Sequence, residues 1–236
     1  MSAGQREVEH EILVDAPAEE IYRLIARVEH WPEIFPPTVH VDQVDRGDTS
    51  ERIRIWATAN GEAKSWTSRR TLDPANLRID FRQEVSTPPV QAMGGAWVIE
   101  ALDPSRSRVR LLHDYRAIGD DPDKLAWIDA AVDRNSRSEL AAMKSNIETA
   151  NGGELTLDIK DTVRINGTAK DVYDFINEAS RWQERLPHVA RVEFTESTPG
   201  LQVLEMDTTA QDGTTHTTKS IRVCFPYDRK IGRAHV

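Results

Sequence analysis

The sequence predicts an α+β fold that occurs twice in tandem. Each copy is a curved antiparallel sheet wrapped around a long carboxyl-terminal helix, and the second copy is truncated. The first observation behind this prediction is an internal repeat, because Tyr22 and Trp31 recur 151 residues later as Tyr173 and Trp182. Residues that recur in register mark two copies of one module. The second observation is the order of elements in the first copy: one strand, two helices, six strands and a long amphipathic helix.

The first copy opens with a strand and two short helices. Residues 7–14 alternate between polar and apolar side chains, as a half-buried strand does. Pro17 then begins a helix whose apolar residues recur at helical spacing. A second helix, around residues 31–35, ends at the Pro36-Pro37 pair.

Six strands follow as one antiparallel meander. Turn signals such as Asn60-Gly61 and Asp103-Pro104 separate the segments. The predicted strands cover residues 38–46, 50–59, 62–73, 77–86, 92–102 and 107–117.

A long helix closes the first copy. It begins at Asp121-Pro122, and the Asn-Gly-Gly sequence at residues 151–153 ends it and serves as a linker. Asn135 and Ser136 interrupt its apolar stripe, either as cavity-lining groups or as groups that tie the helix to the sheet. A helix of this kind is buried only if a curved sheet grips it, which leaves a deep cavity between the two. The stripe consists of Leu125, Ile128, Val132, Leu140, Met143 and Ile147.

These patterns divide the chain into three parts. Residues 1–150 form the first domain, residues 155–229 a partial second domain, and residues 230–236 a non-native tail. The second copy is expected to have its first strand, its helices and about three more strands, without the last strands or the gripped helix. The tail, KIGRAHV, is assigned as non-native because it can be back-translated into a common sequencing adapter.

Composition argues against several classes of function. The net charge of −9 argues against a nucleic-acid partner, which needs a basic face. No apolar run approaches the roughly 18 residues of a membrane span, and the seven histidines lack metal-ligand spacing. The amino terminus lacks a secretory pattern, and the single Cys224 cannot form an internal disulfide, so a cytoplasmic location is predicted. Metal-free chemistry without a cofactor, or simple binding, is what remains.

Three motifs carry a resemblance to a known family. They are WPEIFP from Trp31, WTSRRTLDP from Trp66 and DRNSRSEL from Asp133. Together with the element order, they resemble the polyketide aromatase/cyclases of the START-like (SRPBCC) helix-grip superfamily, and the two copies resemble its didomain members. The resemblance implies an enzyme that accepts a reduced poly-β-ketone from an acyl carrier protein, alongside other polyketide synthase components. It also implies aldol ring closure followed by dehydration, with no metal or cofactor.

The resemblance also implies a set of site residues. Trp66, Ser68 and Arg70 point into the cavity, and strand alternation independently places them on one face. Arg70 is expected to stabilise developing negative charge on a carbonyl oxygen, with Ser68 positioning a carbonyl or a water. His113 and Tyr115, which share a face of the last strand, are the candidate proton donors. The candidate substrate-binding residues are Trp31, Trp66, Phe35, Phe81, Trp97 and Asn135.

Arg70 has two interpretations. The inward residues of the neighbouring strands, starting at Ile53 on one and at Leu77 on another, include no Asp or Glu. A buried guanidinium without an anion must be solvated by water or by ligand oxygens, so this pattern predicts a wet cavity and an Arg70 side chain that is available to substrate. Arg70→Ala is then expected to abolish aromatisation with little effect on the fold. The alternative is a structural ion pair with Glu139 on the long helix.

The sequence leaves three classes of function open. The first is the aromatase/cyclase; the second is a non-catalytic START-type module that binds or transports a hydrophobic small molecule; in the third, the second copy only supports the first. A carrier protein is acidic, so its docking would require a local basic patch on this acidic chain. Arg69, or Arg134 with Arg137, is the candidate patch.

Overall fold

The computed structural model describes residues 5–150, 159–228 and 230–235. The chain divides into two compact units between Leu157 and Asp158. The first unit contains strands β1 (Gln5–Val14), β2 (Thr38–Arg46), β3 (Ser50–Ala59), β4 (Glu62–Asp73), β5 (Arg78–Val85), β6 (Val90–Asp103) and β7 (Arg106–Ala117), and helices α1 (Ala18–Ala26), α2 (Trp31–Ile34) and α3 (Pro122–Ala150).

The first unit is built on one seven-stranded antiparallel sheet. Its strand order is β1-β7-β6-β5-β4-β3-β2, so six strands form a meander and β1 joins at the far edge. The pairing of β1 with β7 places Val8 opposite His113 and Val14 opposite Ser107. The predicted α+β architecture is confirmed, and the strand boundaries differ from the predicted ones by no more than a few residues.

Helix α3 packs on the sheet at its two ends. Near its start, Ile128 and Val132 are buried with Tyr115 of β7. Farther along, Leu140 and Met143 are buried in the main core. Between these clusters the helix carries Asn135, Ser136 and Glu139, so its middle does not supply an apolar surface to the sheet.

A capping carboxylate fixes the start of α3, and the tight turn between β3 and β4 is tied to the same helix. The Asp121 carboxylate accepts the backbone N–H groups of Asp123 and Lys124, which satisfies two free donors at the start of α3. Asn60 and Gly61 both adopt positive φ in the β3–β4 turn, as a two-residue hairpin of this sequence requires. The Asn60 amide then donates to the Trp127 carbonyl oxygen at 2.8 Å, which ties this turn to α3.

The second unit repeats the beginning of the first. It contains helices α4 (Ala169–Asn177) and α5 (Trp182–Arg185), and strands β8 (Val189–Thr198), β9 (Leu201–Thr209), β10 (Thr215–Phe225) and β11 (Lys230–His235) in the order β11-β10-β9-β8. Residues 230–235, which the sequence assigns to a non-native tail, pair with β10 as an edge strand. The predicted linker at residues 151–153 lies outside the described residues.

The first strand predicted for the second copy does not form in the described residues. Residues 159–165 have no regular structure. In the first unit β1 is held by pairing with β7, and the described part of the second unit has no counterpart of β7. The strand prediction was wrong because the alternating pattern alone does not supply a pairing partner.

A buried arginine clamp joins α1 to the sheet in the first unit. Arg70 on β4 is 1% exposed, and its Nη2 donates to the Ile25 carbonyl oxygen, in the last turn of α1, at 3.0 Å. The guanidinium lies 5.0 Å from the centre of the Trp31 ring. The Trp31 indole N–H donates to the same Ile25 oxygen at 3.0 Å. A cation therefore satisfies and complements the carbonyl end of a helix.

The second unit has a similar clamp, in which the Trp182 indole donates to the Phe175 carbonyl oxygen. Arg222 on β10 is 1% exposed, donates to the Ile176 carbonyl oxygen at 2.6 Å, and lies 4.8 Å from the centre of the Trp182 ring. Its repetition in both units indicates that the clamp is part of the architecture of the module.

The two clamps differ in the residue opposite the arginine. Glu51 on β3 pairs in register with Arg70, is 3% exposed, and places its Oε1 2.9 Å from Arg70 Nη1. Gln202 holds the corresponding place opposite Arg222. The expectation that the inward positions lack a carboxylate is therefore wrong. Glu51 is also an inward residue of β3, two positions before Ile53, where the expected inward set began. The partner in the ion pair is Glu51 rather than Glu139.

Removal of Arg70 is predicted to destabilise the first unit strongly. In Arg70→Ala the Glu51 carboxylate stays buried without its counter-charge, which costs about 3–5 kcal/mol of unfolding free energy. Arg69→Ala is the matched control, since the neighbouring Arg69 pairs with Glu84 at 2.8 Å on the exposed face of the same strand. Its loss should cost less than about 1 kcal/mol.

Urea denaturation of the three proteins measures this difference. Equal, small losses in both variants would contradict a structural role for the buried pair.

Candidate active site

Two neighbouring chambers, which share part of their lining, lie between the sheet and α3. The outer chamber has a volume of about 140 Å³ and extends to Pro88, Pro89 and Trp127. The inner chamber has a volume of about 100 Å³ and ends at Ser68 and Arg70. The residues that line both chambers are Trp31, Ile55, Trp66, Gln83, Met93, His113 and Glu139.

The chambers occur where the apolar stripe of α3 is interrupted. Asn135 lines the outer chamber, and its amide also donates to the Thr58 carbonyl oxygen at 2.8 Å. It therefore fulfils both roles that the sequence left open. Ser136 also lines this chamber, and its hydroxyl is buried without a hydrogen-bond partner among the described residues.

Most of the expected aromatic residues form the chamber walls. Phe81 and Trp97 line the inner chamber, while Trp31 and Trp66 line both. Phe35 lies behind this wall, stacked on Trp97 with ring centres 5.7 Å apart and edge-on to Trp31 at 5.3 Å. Phe35 therefore packs behind Trp31 and Trp97 and does not itself line a chamber.

Glu139 also lines both chambers, although its sequence pattern predicts only the alternative ion pair with Arg70. It follows Asn135 by one helical turn, so the two side chains share a face of α3. We find no hydrogen bond or ion pair between the Glu139 carboxyl group and any described residue. The surface that Glu139 retains faces the two chambers. Burial raises the pKa of Glu139 to about 8, so the carboxyl group is mostly protonated at neutral pH.

His113 faces the same chambers with the opposite shift. Burial, with a further contribution from nearby His10, lowers the pKa of His113 to about 4. Its imidazole is therefore neutral at neutral pH. The ring lies edge-on to Phe81 with centres 5.4 Å apart, and its Nδ1 is buried without a hydrogen-bond partner among the described residues.

Tyr115, the other expected proton donor, lies away from the chambers. Its side chain is 2% exposed and packs among the apolar residues near the start of α3. The hydroxyl donates to Asp129 at 2.6 Å, and burial together with this bond raises its pKa above the ordinary range of tyrosine. These contacts make Tyr115 a residue that fastens β7 to α3.

The inner end of the site carries Arg70 and Ser68. Burial lowers the pKa of Arg70 to about 10, against the opposing effect of Glu51, so the guanidinium stays charged at neutral pH. Its contacts with Glu51 and Ile25 fix its orientation. Guanidinium has five N–H donors, so a fixed cation can still present donors to the inner chamber, beside the Ser68 hydroxyl.

This arrangement suits proton transfer at a carbonyl compound. A protonated carboxyl group and a neutral imidazole line the same two chambers, and such opposite pKa shifts assign an acid and a base. Within the described residues, we find no group of three or more His, Cys, Asp or Glu side chains that could bind a metal ion. None of the helices in the described ranges combines the length and hydrophobicity that a membrane crossing needs.

Known proteins with related sequences point to one family. The family model described as polyketide cyclase/dehydrase and lipid transport matches residues 14–129. The granaticin polyketide synthase bifunctional cyclase/dehydratase of Streptomyces virginiae is 56% identical over 98% of this chain and 76% of its own length. The actinorhodin polyketide synthase bifunctional cyclase/dehydratase of Streptomyces coelicolor is 44% identical over 94% of this chain and 73% of its own.

A solved structure agrees with these relatives. The crystal structure of the di-domain ARO/CYC BexL from the BE-7585A biosynthetic pathway has a TM-score of 0.82 and 62% identity, covering 98% of this chain and 75% of that one. The chain belongs to the family of polyketide cyclase/dehydratases.

Proposed function

We propose that the two chambers of this polyketide aromatase/cyclase hold a folded, reduced poly-β-ketone and promote aldol ring closure and dehydration to an aromatic ring. The observation that carries the proposal is the placement of Glu139 and His113 on both chambers, with opposite pKa shifts. Arg70 and Ser68 supply the charge and hydroxyl group that a carbonyl oxygen requires.

Ring closure begins with His113. The neutral imidazole removes a proton from the methylene group between two carbonyl groups, which is acidic because the resulting enolate is delocalised. Negative charge develops on the carbonyl oxygen, where donors from Arg70 and Ser68 stabilise it. The enolate carbon attacks a second carbonyl carbon, and the new alkoxide takes the proton back from the His113 imidazolium.

Dehydration uses both groups. His113 removes the proton from the carbon next to the new hydroxyl, while the neutral Glu139 carboxyl group donates its proton to the departing oxygen. A carbon–carbon double bond forms and water leaves. The Glu139 carboxylate then recovers its proton from the His113 imidazolium, so the site returns to its initial state with no net gain or loss of protons.

The composition of the walls favours chemistry over simple carriage. A module that only binds a hydrophobic molecule is expected to have a uniformly apolar cavity, yet these chambers include a buried cation, a buried carboxyl group and a buried imidazole. Burying such groups costs free energy. The clamp accounts for Arg70, but the Glu139 carboxyl group and the His113 imidazole have no hydrogen-bond partner among the described residues. The presence of these two groups is explained if they act on the ligand.

We propose that the substrate arrives on an acyl carrier protein. The outer chamber reaches Trp127, and Asn60 bridges Trp127 and Arg134, whose Nη1 donates to Asn60 at 2.7 Å. Arg134 is exposed and forms no ion pair with a described residue. Of the other expected docking arginines, Arg137 pairs with Asp133 and Arg69 with Glu84. Arg134 therefore offers its charge to an acidic carrier protein at the rim.

Reconstitution tests the overall function. The protein is incubated with a minimal polyketide synthase and a ketoreductase, and the products are identified by mass spectrometry and NMR. We expect a product whose first ring is closed and aromatic, which is absent without the protein. An unchanged product mixture would leave only the binding role.

Glu139→Gln is predicted to lower the rate of aromatisation by about 100-fold or more, because an amide cannot donate the proton that expels water. In the wild type the rate should fall as pH rises through about 8, since Glu139 then loses its proton. It should be maintained down to about pH 4, where His113 becomes protonated. The variant should lose the upper limb of this pH profile.

Glu148→Gln is the matched control, since Glu148 lies on the same helix and pairs with Lys144 outside the chambers. It should keep both the rate and the upper limb. A Glu139→Gln protein with wild-type rate and profile would remove Glu139 from the mechanism.

Arg134→Glu is predicted to weaken binding of the carrier protein by about 3–10-fold at low salt and to reduce its salt dependence, because charges at a rim act mainly through long-range attraction. Arg137→Glu is the control, because Asp133 already neutralises Arg137. Fluorescence titration at several ionic strengths measures both effects. Wild-type binding that does not change between low and physiological ionic strength would contradict this docking surface.

A further inference from the structure

We propose that His10, held by Asp133, is a positioning residue that fixes His113 in the tautomer whose Nε2 is free to accept a proton in the chambers. This inference rests on the proposed role of His113 as the base. It concerns a histidine outside the two chambers, on the edge strand β1.

The β1–β7 register places His10 and His113 on adjacent strands, two residues apart in the pairing. Val8 lies opposite His113 in the β1–β7 pairing, and His10 lies opposite Leu111. His10 and His113 are thus diagonal neighbours, which are close enough for aromatic side chains to meet. Both residues are at inward positions, since Val8, His10 and Ile12 are the partly buried residues of β1 whereas the residues between them are exposed.

Asp133 determines which nitrogen of His10 carries a proton. The Asp133 Oδ1 lies 3.0 Å from His10 Nε2. Contacts with His10 and Arg137 hold the pKa of Asp133 below its ordinary value, so the carboxylate is ionised and only accepts hydrogen bonds. In a neutral His10 the proton is then on Nε2, and the Nδ1 lone pair points into the protein.

Each imidazole has a buried Nδ1 without a hydrogen-bond partner among the described residues. The two nitrogens therefore do not bond to each other directly. Buried polar atoms of this kind are normally satisfied. One water that accepts the proton of His113 Nδ1 and donates to His10 Nδ1 satisfies both.

The consequence for chemistry lies on the other side of the His113 ring. A neutral imidazole has one N–H and one lone pair. If Nδ1 carries the proton, the lone pair is on Nε2, the nitrogen left to face the chambers. The opposite tautomer would present an N–H there and could not remove a proton from substrate. In many proteins, a hydrogen bond to one nitrogen of a histidine determines which nitrogen carries the proton. Here Asp133 sets the tautomer of His10, and His10 in turn sets that of His113.

NMR of the full chain with labelled histidine tests the tautomers directly at neutral pH. We expect His113 with its proton on Nδ1 and His10 with its proton on Nε2. In Asp133→Asn, whose amide can donate to His10 Nε2, we expect the His10 proton to move to Nδ1 and the His113 proton to move to Nε2. We also expect kcat to fall about 10-fold or more, with KM nearly unchanged.

Arg137→Ala is the control, because it removes the other partner of Asp133 without altering the His10 contact. It should keep both tautomers and kcat. His113 with its proton on Nε2 in the wild type would overturn the inference while leaving Glu139 and Arg70 in their roles. Full activity of His113→Phe would instead refute the proposed base, whatever tautomers are found.

Discussion

The buried pair of Arg70 and Glu51 is the interaction on which the rest of the first unit depends. It lies between two adjacent strands and continues through the Arg70 guanidinium to the end of α1 and to Trp31. A buried charge is tolerated only when its partners are all in place. The pair therefore fixes α1, the inner end of the chambers and one aromatic wall with a single set of contacts. In the second unit Arg222 likewise donates to a helix-end carbonyl oxygen and lies over Trp182, and Gln202 stands at the register position that Glu51 has in the first unit.

A polar interruption in the packing of α3 creates the site. The helix is fastened to the sheet at both ends by apolar clusters, and its middle presents Asn135 and Glu139 to an enclosed space. Burial that is unfavourable for an ionised carboxylate keeps Glu139 neutral, and the same burial keeps His113 uncharged. Apolar packing at the two ends of α3 thus offsets the cost of burying Glu139 and His113 near its middle, where they serve as the proposed acid and base.

The sequence predicted the elements that depend on local pattern. Turn residues such as Asn60-Gly61 and the alternation along β4 fixed the meander and the inward direction of Arg70. Contacts between strands could not be predicted in this way. Glu51 lies one inward position before Ile53, where the predicted inward set of β3 began, so its contact with Arg70 was missed. Tyr115 faces inward as predicted, but its hydroxyl group donates to Asp129 and does not reach the chambers. The role of Glu139 depends on its having no partner among the described residues, which only the assembled structure reveals.

The protonation state of Glu139 tests the proposed mechanism most directly, because the dehydration step requires a neutral carboxylic acid at neutral pH. Carbon-13 NMR of the Glu139 carboxyl group, assigned by its loss in Glu139→Gln, follows its titration in the folded chain. We predict a protonated carboxyl group at pH 7 that titrates near pH 8. A carboxylate that is already ionised at pH 7 in the folded protein would contradict the proposed mechanism.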